Sequence, residues 1–379
     1  MLKTDEGSTG RLVQLCAGYF VFYAITGVAV KYFTGKASAG FPGMHDMQYL
    51  VYSTAGGSAI CLAWVLARRW YRLKSARTIA LGPIAVPAEL LYIVPSGVCT
   101  AVIIPTTTLM YMLPISVMVA MVIMRASVIV ISRLVDAAQI RQGILQKKVY
   151  RTEDLAVLFA LFAVATQVFG VGPGGFDFIR SPAAIAILGS YIVAYAFRIY
   201  IMNYFKNTRG KGVPLDNQGF FALEQIAASV AMAIAASALF AAGAEGGPKA
   251  LAIFRGAIVE PRPLWGWATL SGVAYGIVAF FSVFIFMFKG RTATFAGLVN
   301  RLTSLIAGTA ATLIFHFGFG GKFPKREDWL SLTLILVAVG FLTIAERRRA
   351  RELAAARAAS PVSGAPPPLG APQASAERR

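Results

Sequence analysis

Residues 19–33 read YFVFYAITGVAVKYF, and residues 191–205 read YIVAYAFRIYIMNYF. Aligned without gaps, Tyr19, Val21, Tyr23, Ala24, Tyr32 and Phe33 recur as Tyr191, Val193, Tyr195, Ala196, Tyr204 and Phe205. A second match keeps almost the same register: RTEDLAVLFALFAVA at 151–165 parallels KREDWLSLTLILVAV at 325–339. The offsets are 172 residues (19 to 191) and 174 residues (151 to 325). Ala and Val coincide often between two apolar helices, so the repeat rests on the recurring Tyr, Phe, Glu and Asp.

Both copies of the opening stretch lie in segments long enough to cross a bilayer. The 379 residues are 57% hydrophobic and 14% charged, with mean hydropathy +0.65. Soluble domains are roughly 45–50% apolar and about 25% charged, so a cytosolic globule, a disordered chain and a collagen-like chain are all excluded. A hydrocarbon core of ~30 Å needs ~20 apolar residues. Ten segments meet that length, at roughly 12–33, 47–67, 84–104, 114–135, 154–171, 183–205, 220–242, 265–288, 293–316 and 329–346. The runs are continuous rather than alternating, which predicts helices, not a barrel. The first is too long for a signal-peptide core and is read as a retained span. The predicted fold is an all-α integral membrane bundle of ten transmembrane helices.

Five spans per copy is an odd number, so the second copy enters the membrane from the opposite side, as an inverted repeat. The predicted units are a cytoplasmic N-terminus (1–11), a first five-helix repeat (12–171), a second (183–346) and a disordered Ala/Pro/Arg-rich tail (350–379). Pro105 and Pro114 bracket the connection between the third and fourth spans, where both helices are expected to break. The longest connection, 243–264, is read as a loop.

Lys and Arg number 36 against 17 Asp and Glu, a formal charge of +19. Most of the excess falls on alternate connections: Arg68, Arg69, Arg72, Lys74 and Arg77, then Arg141, Lys147, Lys148 and Arg151, then Lys206, Arg209 and Lys211, then Lys289 and Arg291, and finally Arg347, Arg348, Arg349 and Arg351. The positive-inside rule then places both termini in the cytoplasm of an inner (plasma) membrane, with a basic surface facing anionic lipid. No recognition module exists to bind nucleic acid. Cys16, Cys61 and Cys99 lie in apolar runs with no metal spacing, and the two histidines, His45 and His316, are too few for a multi-His site. No GxSxG, Walker A or HExxH pattern is present, so no enzymatic activity and no cofactor are expected.

Ten spans built as five plus five resemble the drug/metabolite transporter superfamily. The segment LMYMLPISVMVAMVIMRASVIVISRL at 109–134 resembles its nucleotide-sugar-transporter-like (EamA-type) branch, with Ala126 where that branch commonly has Gly. LVNRLTSLIAGTAATLIF at 298–315 is similar to the family's penultimate helix. The resemblance covers about 12–346. It implies alternating access around a central cavity, and leaves the cargo among sugars, amino acids, nucleotide sugars, phosphorylated metabolites and lipids.

A charge at mid-bilayer costs ~2.5–3.5 kcal/mol on insertion scales and turns toward a cavity or a partner. Arg125 lies mid-span, and its guanidinium suits a carboxylate or phosphate; the alternative is a structural Arg on helix-end carbonyls or a fixed acid. Arg301, beside Asn300, holds nearly the equivalent place in the second repeat, either on the same cavity or snorkelling to the interface. Arg198 is a third cavity candidate and Lys31 a fourth, the latter with headgroup contact as its alternative. Glu224 is a candidate for proton coupling, for an Arg partner, or for a solvated span end; Glu89 is read the same way. Asp136 and Arg133 are read as interface charges. Tyr23, Tyr195, Tyr111 and Tyr275, with Phe280 and Phe281, are candidates for the cavity wall. Gly56-Gly57 lets a second helix approach closely.

The expected function is secondary transport of a small organic anion (a nucleotide sugar or other phosphorylated or carboxylated metabolite), with proton or counter-substrate coupling left open. The alternative is a lipid or lipid-linked-sugar flippase of the same fold binding a lipid headgroup. A membrane enzyme lacks its catalytic cluster, and a scaffold or sensor lacks its soluble domain.

Overall fold

The computed structural model describes residues 8–75, 77–112, 117–145, 149–169, 181–209, 213–243, 248–321, 323–324 and 326–359. Among these, the α-helices are α1 (Thr9–Phe33), α2 (Asp46–Ala67), α3 (Leu90–Met112), α4 (Val117–Arg141), α5 (Arg151–Phe169), α6 (Pro182–Asn207), α7 (Asn217–Ala242), α8 (Lys249–Val259), α9 (Trp265–Phe286), α10 (Ala293–Phe319) and α11 (Arg326–Ala359). A hairpin of β1 (Thr78–Leu81) and β2 (Ile84–Pro87) precedes α3. Among the described residues, eight helices are long and apolar enough to cross a membrane: α1, α2, α3, α6, α7, α9, α10 and α11. The protein is therefore all-α in its bulk, multi-pass and membrane-embedded. α4 and α5 are also long, but α4 carries Arg125, Arg133, Asp136 and Arg141, and α5 opens on Arg151, Glu153 and Asp154.

Local chemistry sets the helix starts. Ser8, Ser181, Asp216 and Thr292 each accept a backbone N–H from the first turn of α1, α6, α7 and α10, and His45 with Gln48 forms a reciprocal capping box on α2. Four boundaries differ from the sequence expectation. The third apolar segment does not start at 84: Ile84–Pro87 pairs antiparallel with Thr78–Leu81 around Gly82, whose φ is +63°, because a short β-branched run before a proline suits a strand as well as a helix. α3 does not break at Pro105 but continues to Met112. There Thr106 Oγ1 and Thr107 Oγ1 donate to the carbonyls of Val102 and Ile103 at 2.7 Å each, and neighbouring helices let a spanning helix tolerate proline. The connection 243–264 contains α8. Finally, the region expected to be disordered from Ala350 is helical to Ala359, since Ala, Arg, Glu and Leu all favour helix.

Small residues bring the helices together. Gly56 and Gly57 of α2 face Gly272 and Gly276 of α9 so closely that a Cβ at Gly56 would lie 1.8 Å from the Thr269 carbonyl oxygen, and one at Gly272 2.1 Å from that of Ser53. α3 meets α7 at Gly97, where a Cβ would lie 2.5 Å from Ala227 Cβ. α5 and α11 pack through Ala156, Ala160, Ala163, Ala338 and Ala345, all fully buried. Such close approach is how spanning helices associate when lipid removes the hydrophobic driving force between them. The remaining principal contacts are α1 with α9 and α10, α6 with α3 and α4, and α4 with α10 and α5.

Candidate functional site

Two adjoining spaces lie within the helix bundle. The larger, about 580 Å³, runs from Arg125 and Tyr23 at mid-depth to Thr34, Asp46, Pro324 and Asp328, where α1 stops and α2 and α11 start. This side is called the Phe33 end, and the opposite side the Thr9 end. The smaller space, a chamber of about 130 Å³, lies deeper and shares Tyr23, Ile104, Thr107, Arg125 and Tyr275 with the larger one.

The chamber gathers most of the residues singled out in the sequence. Arg125, Arg198, Arg301, Asn300, Tyr23, Tyr195 and Tyr275 all line it. Arg125 and Arg301 stand in the same turn of α4 and α10, counted from the described start of each helix. Arg301 is only 9% exposed, which corrects the snorkelling alternative: its guanidinium lies over the Tyr195 ring, 5.1 Å from the centroid. Arg301 Nε and Arg125 Nη2 are buried with no hydrogen-bond acceptor. Among the described residues neither arginine pairs with a carboxylate, and no carboxylate lines the chamber. Opposite Arg125, an added Cβ on Gly308 would lie 3.5 Å from Nη2.

Arg198 behaves differently. Its Nε and Nη2 donate to the two carboxylate oxygens of Glu224 at 2.9 Å each. Ser96 Oγ adds a bond to Glu224 at 2.6 Å and Thr100 Oγ1 another at 3.3 Å. Glu224 is fully buried, so its reading as a solvated span end is corrected, and of its alternatives the Arg partner is the one present. Lys31 lines the larger space and donates to Thr312 Oγ1 at 2.7 Å. The side chain of Tyr111 lies outside the described residues. Phe280 and Phe281 line neither space: Phe280 stacks with Trp70 and Phe284, and Phe281 packs against Phe22.

Sequence reasoning missed several chamber residues. Tyr19 and Tyr191 line it and make matching ring pairs with Tyr23 (5.5 Å) and Tyr195 (4.7 Å). The i, i+4 spacing of both pairs, at positions that align between 19–33 and 191–205, was the available signal. Gln225, with a buried unpartnered Nε2, and Thr100 also line the chamber, and no sequence signal marked them.

The Thr9 end is closed by buried polar contacts. Asp136, read from sequence as an interface charge, is fully buried. It accepts the N–H groups of Ala293 (2.8 Å) and Thr294 (2.6 Å), the first turn of α10, where a carboxylate is favoured by the exposed donors and the helix dipole. Asn203 Nδ2 donates to Asp136 at 3.3 Å and to Gln139 at 2.7 Å. Glu153 pairs with Arg349 at 2.5 Å and accepts from Thr292 at 3.3 Å. Arg291 pairs with Glu346, which also accepts from Thr9. Lys206 Nζ donates to the Phe286 carbonyl at 3.0 Å. Arg133 pairs with Asp154 at 3.0 Å, half-exposed, and Glu89 pairs with Arg209 at 2.6 Å, both away from the chamber. Among the described residues, no group of three or more His, Cys, Asp or Glu is placed to hold a metal ion.

No family model matches the chain, and no curated protein matches it. A solved structure described as "Crystal structure of protein" is similar to it in fold, with TM-score 0.56 and 13% identity, covering 90% of this chain and 99% of that one.

Proposed function

We propose that the protein is a secondary transporter that moves a small organic anion across the inner membrane by alternating access. One observation carries the reading: the guanidinia of half-buried Arg125 on α4 and buried Arg301 on α10 face one chamber, and among the described residues no carboxylate balances them. An unpaired charge in low dielectric is costly, and an entering anion removes that cost.

The architecture proposed is ten spans, counting α4 and α5, in two inverted halves: α1–α5 and α6–α11 without α8. Three features support it. The packing pairs interchange when the halves are swapped: α2 with α9 becomes α7 with α3, α1 with α9 becomes α6 with α3, and α1 with α10 becomes α6 with α4. The Tyr19–Tyr23 pair has its partner in Tyr191–Tyr195. The bond from Lys31 to Thr312 between α1 and α10 has its counterpart in the bond from Asn203 to Asp136 between α6 and α4. The resemblance to the drug/metabolite transporter superfamily agrees with this arrangement. The basic connections favour a cytoplasmic Thr9 end; on that orientation the proposed state is the one closed to the cytoplasm, because the larger space reaches the Phe33 end.

A solute carrier is favoured over a lipid flippase because the charged side chains of Lys31, Asp46 and Asp328, at helix ends, line the larger space, a lining that suits a water-soluble solute better than an acyl chain. The reading is tested with Arg125→Ala in proteoliposomes. Loss of organic-anion uptake by a variant that still purifies as a folded, monodisperse protein is the expected outcome, and uptake at the native rate overturns the reading.

A further inference from the structure

Charge, volume and wall chemistry together narrow the anion. The chamber holds three cations, Arg125, Arg198 and Arg301. Glu224 occupies two nitrogens of Arg198 with both of its oxygens, so that pair is internally neutral. Two positive charges remain, and both arginines keep a buried N–H without an acceptor. A monocarboxylate brings one charge and two oxygens. It satisfies one guanidinium fork and leaves the other cation without a counter-charge. A phosphate monoester brings a charge of about −1.5 to −2 near neutral pH and three strong acceptor oxygens, enough to meet both arginines with charge-assisted bonds.

The volumes point the same way. The chamber, about 130 Å³, is the smaller of the two adjoining spaces and suits a compact anionic head. The adjoining 580 Å³ suits a larger body. Between Arg125 at its floor and the charged mouth, that space is walled by apolar residues such as Leu50, Ile104, Leu305 and Ile335, interspersed with the hydroxyls of Thr26 and Thr309. An uncharged body with apolar and hydroxyl-bearing faces fits such a wall.

Resting on the transporter reading above, we infer that the ligand is a phosphate monoester: a single dianionic phosphoryl head held between Arg125 and Arg301, with an uncharged body several times larger than the head in the outer space. The head has two sources, a water-soluble phosphorylated metabolite or a lipid with a monoester headgroup.

The test uses purified full-length protein and two probes of one shape, phenyl phosphate and phenyl sulfate, the second a monoanion. Phenyl phosphate is expected to bind about tenfold or more tightly than phenyl sulfate, and Arg301→Gln to reduce that preference to roughly twofold. Arg301→Lys, which keeps the charge, is expected to retain most of the preference and guards against a misfolded Gln variant. Equal binding of the two probes by the native protein overturns the monoester inference. If that equal binding is nonetheless lost in Arg125→Ala, the anion reading survives alone. If neither probe's binding responds to Arg125→Ala, the anion reading falls as well. A second arm compares vesicles containing phosphatidic acid, a monoester, with vesicles containing phosphatidylglycerol, a diester. Retention on phosphatidic acid alone assigns the monoester to lipid, and binding of phenyl phosphate without vesicle discrimination assigns it to a soluble metabolite.

Discussion

Arg301 lays its guanidinium over the ring of Tyr195, 5.1 Å from the centroid, and keeps its buried Nε without an acceptor. The ring face offers the cation a partial partner and the Tyr195 side chain also hydrogen-bonds Arg301, so the residue is held in place while, among the described residues, no carboxylate neutralises it.

That arrangement separates two substitutions at one position. Arg301→Glu reverses the charge beside Arg125 and supplies the chamber with its own anion; Arg301→Gln only removes a charge. Organic-anion binding measured by thermal shift is expected to fall about tenfold for Gln and to vanish for Glu, since an unpaired like charge costs several kcal/mol in low dielectric. Equal binding by both variants would mean that Arg301 does not touch the anion.

Glu224 and Arg198 form a buried, bidentate pair. Removing one member of such a pair costs about 3–5 kcal/mol, whereas replacing both by apolar groups of similar volume is near neutral. Arg198→Met and Glu224→Leu are each expected to lower the melting temperature in detergent clearly, and the double variant to recover most of the loss. Additive losses would show that the pair does not act as a unit.

Both carboxylate oxygens of Glu224 are engaged by Arg198, and Glu224 does not line the chamber. Flux through the native protein is therefore expected to be insensitive to an imposed pH gradient, measured in proteoliposomes with anion on both sides. Flux that follows the gradient would restore Glu224 as the coupling group.

The seal at the Thr9 end makes contacts that an opening of that end must break. Arg349→Ala removes the partner of Glu153 and is expected to shift the population toward the state open at the Thr9 end. The measurement is labelling of a cysteine placed at Ala279, on the chamber wall, by an impermeant maleimide added from the Thr9 side, with Cys16, Cys61 and Cys99 replaced. About tenfold faster labelling than in the Arg349 parent is expected, corresponding to roughly 1.4 kcal/mol between the states. An unchanged rate would remove the pair from the gate.

Gly56→Ala places a Cβ 1.8 Å from the Thr269 carbonyl oxygen, a backbone atom that cannot swing aside. Overpacking of this kind costs about 1–3 kcal/mol, and a large drop in melting temperature is expected. Gly189→Ala, whose Cβ meets nothing within 4 Å, is the control and is expected to leave the melting temperature unchanged.

The long apolar helices were legible in the chain because spanning length is a local property: a run of about twenty apolar residues has nowhere else to go. The matching ring pairs Tyr19–Tyr23 and Tyr191–Tyr195 fall on the two stretches that align in sequence, and Arg125 and Arg301 line one chamber. The strand at Ile84–Pro87 and the extension of α11 to Ala359 were misread for the same reason, since composition alone does not separate a short apolar strand from a helix start, or a polar helix from a tail. What residues alone could not supply is rotation and partnership. A helix that is apolar on every side has no amphipathic stripe to say which way a residue such as Arg301 points; only its contacts with Tyr195 turn it inward. Likewise Glu224 and Arg198, Glu153 and Arg349, and Asp136 with the first turn of α10 are distant in sequence, and whether a buried charge is balanced or left open to a ligand depends on which helices meet. In this molecule tertiary packing neutralises Arg198, leaves Arg125 and Arg301 unbalanced, and so decides which charges face the chamber uncompensated.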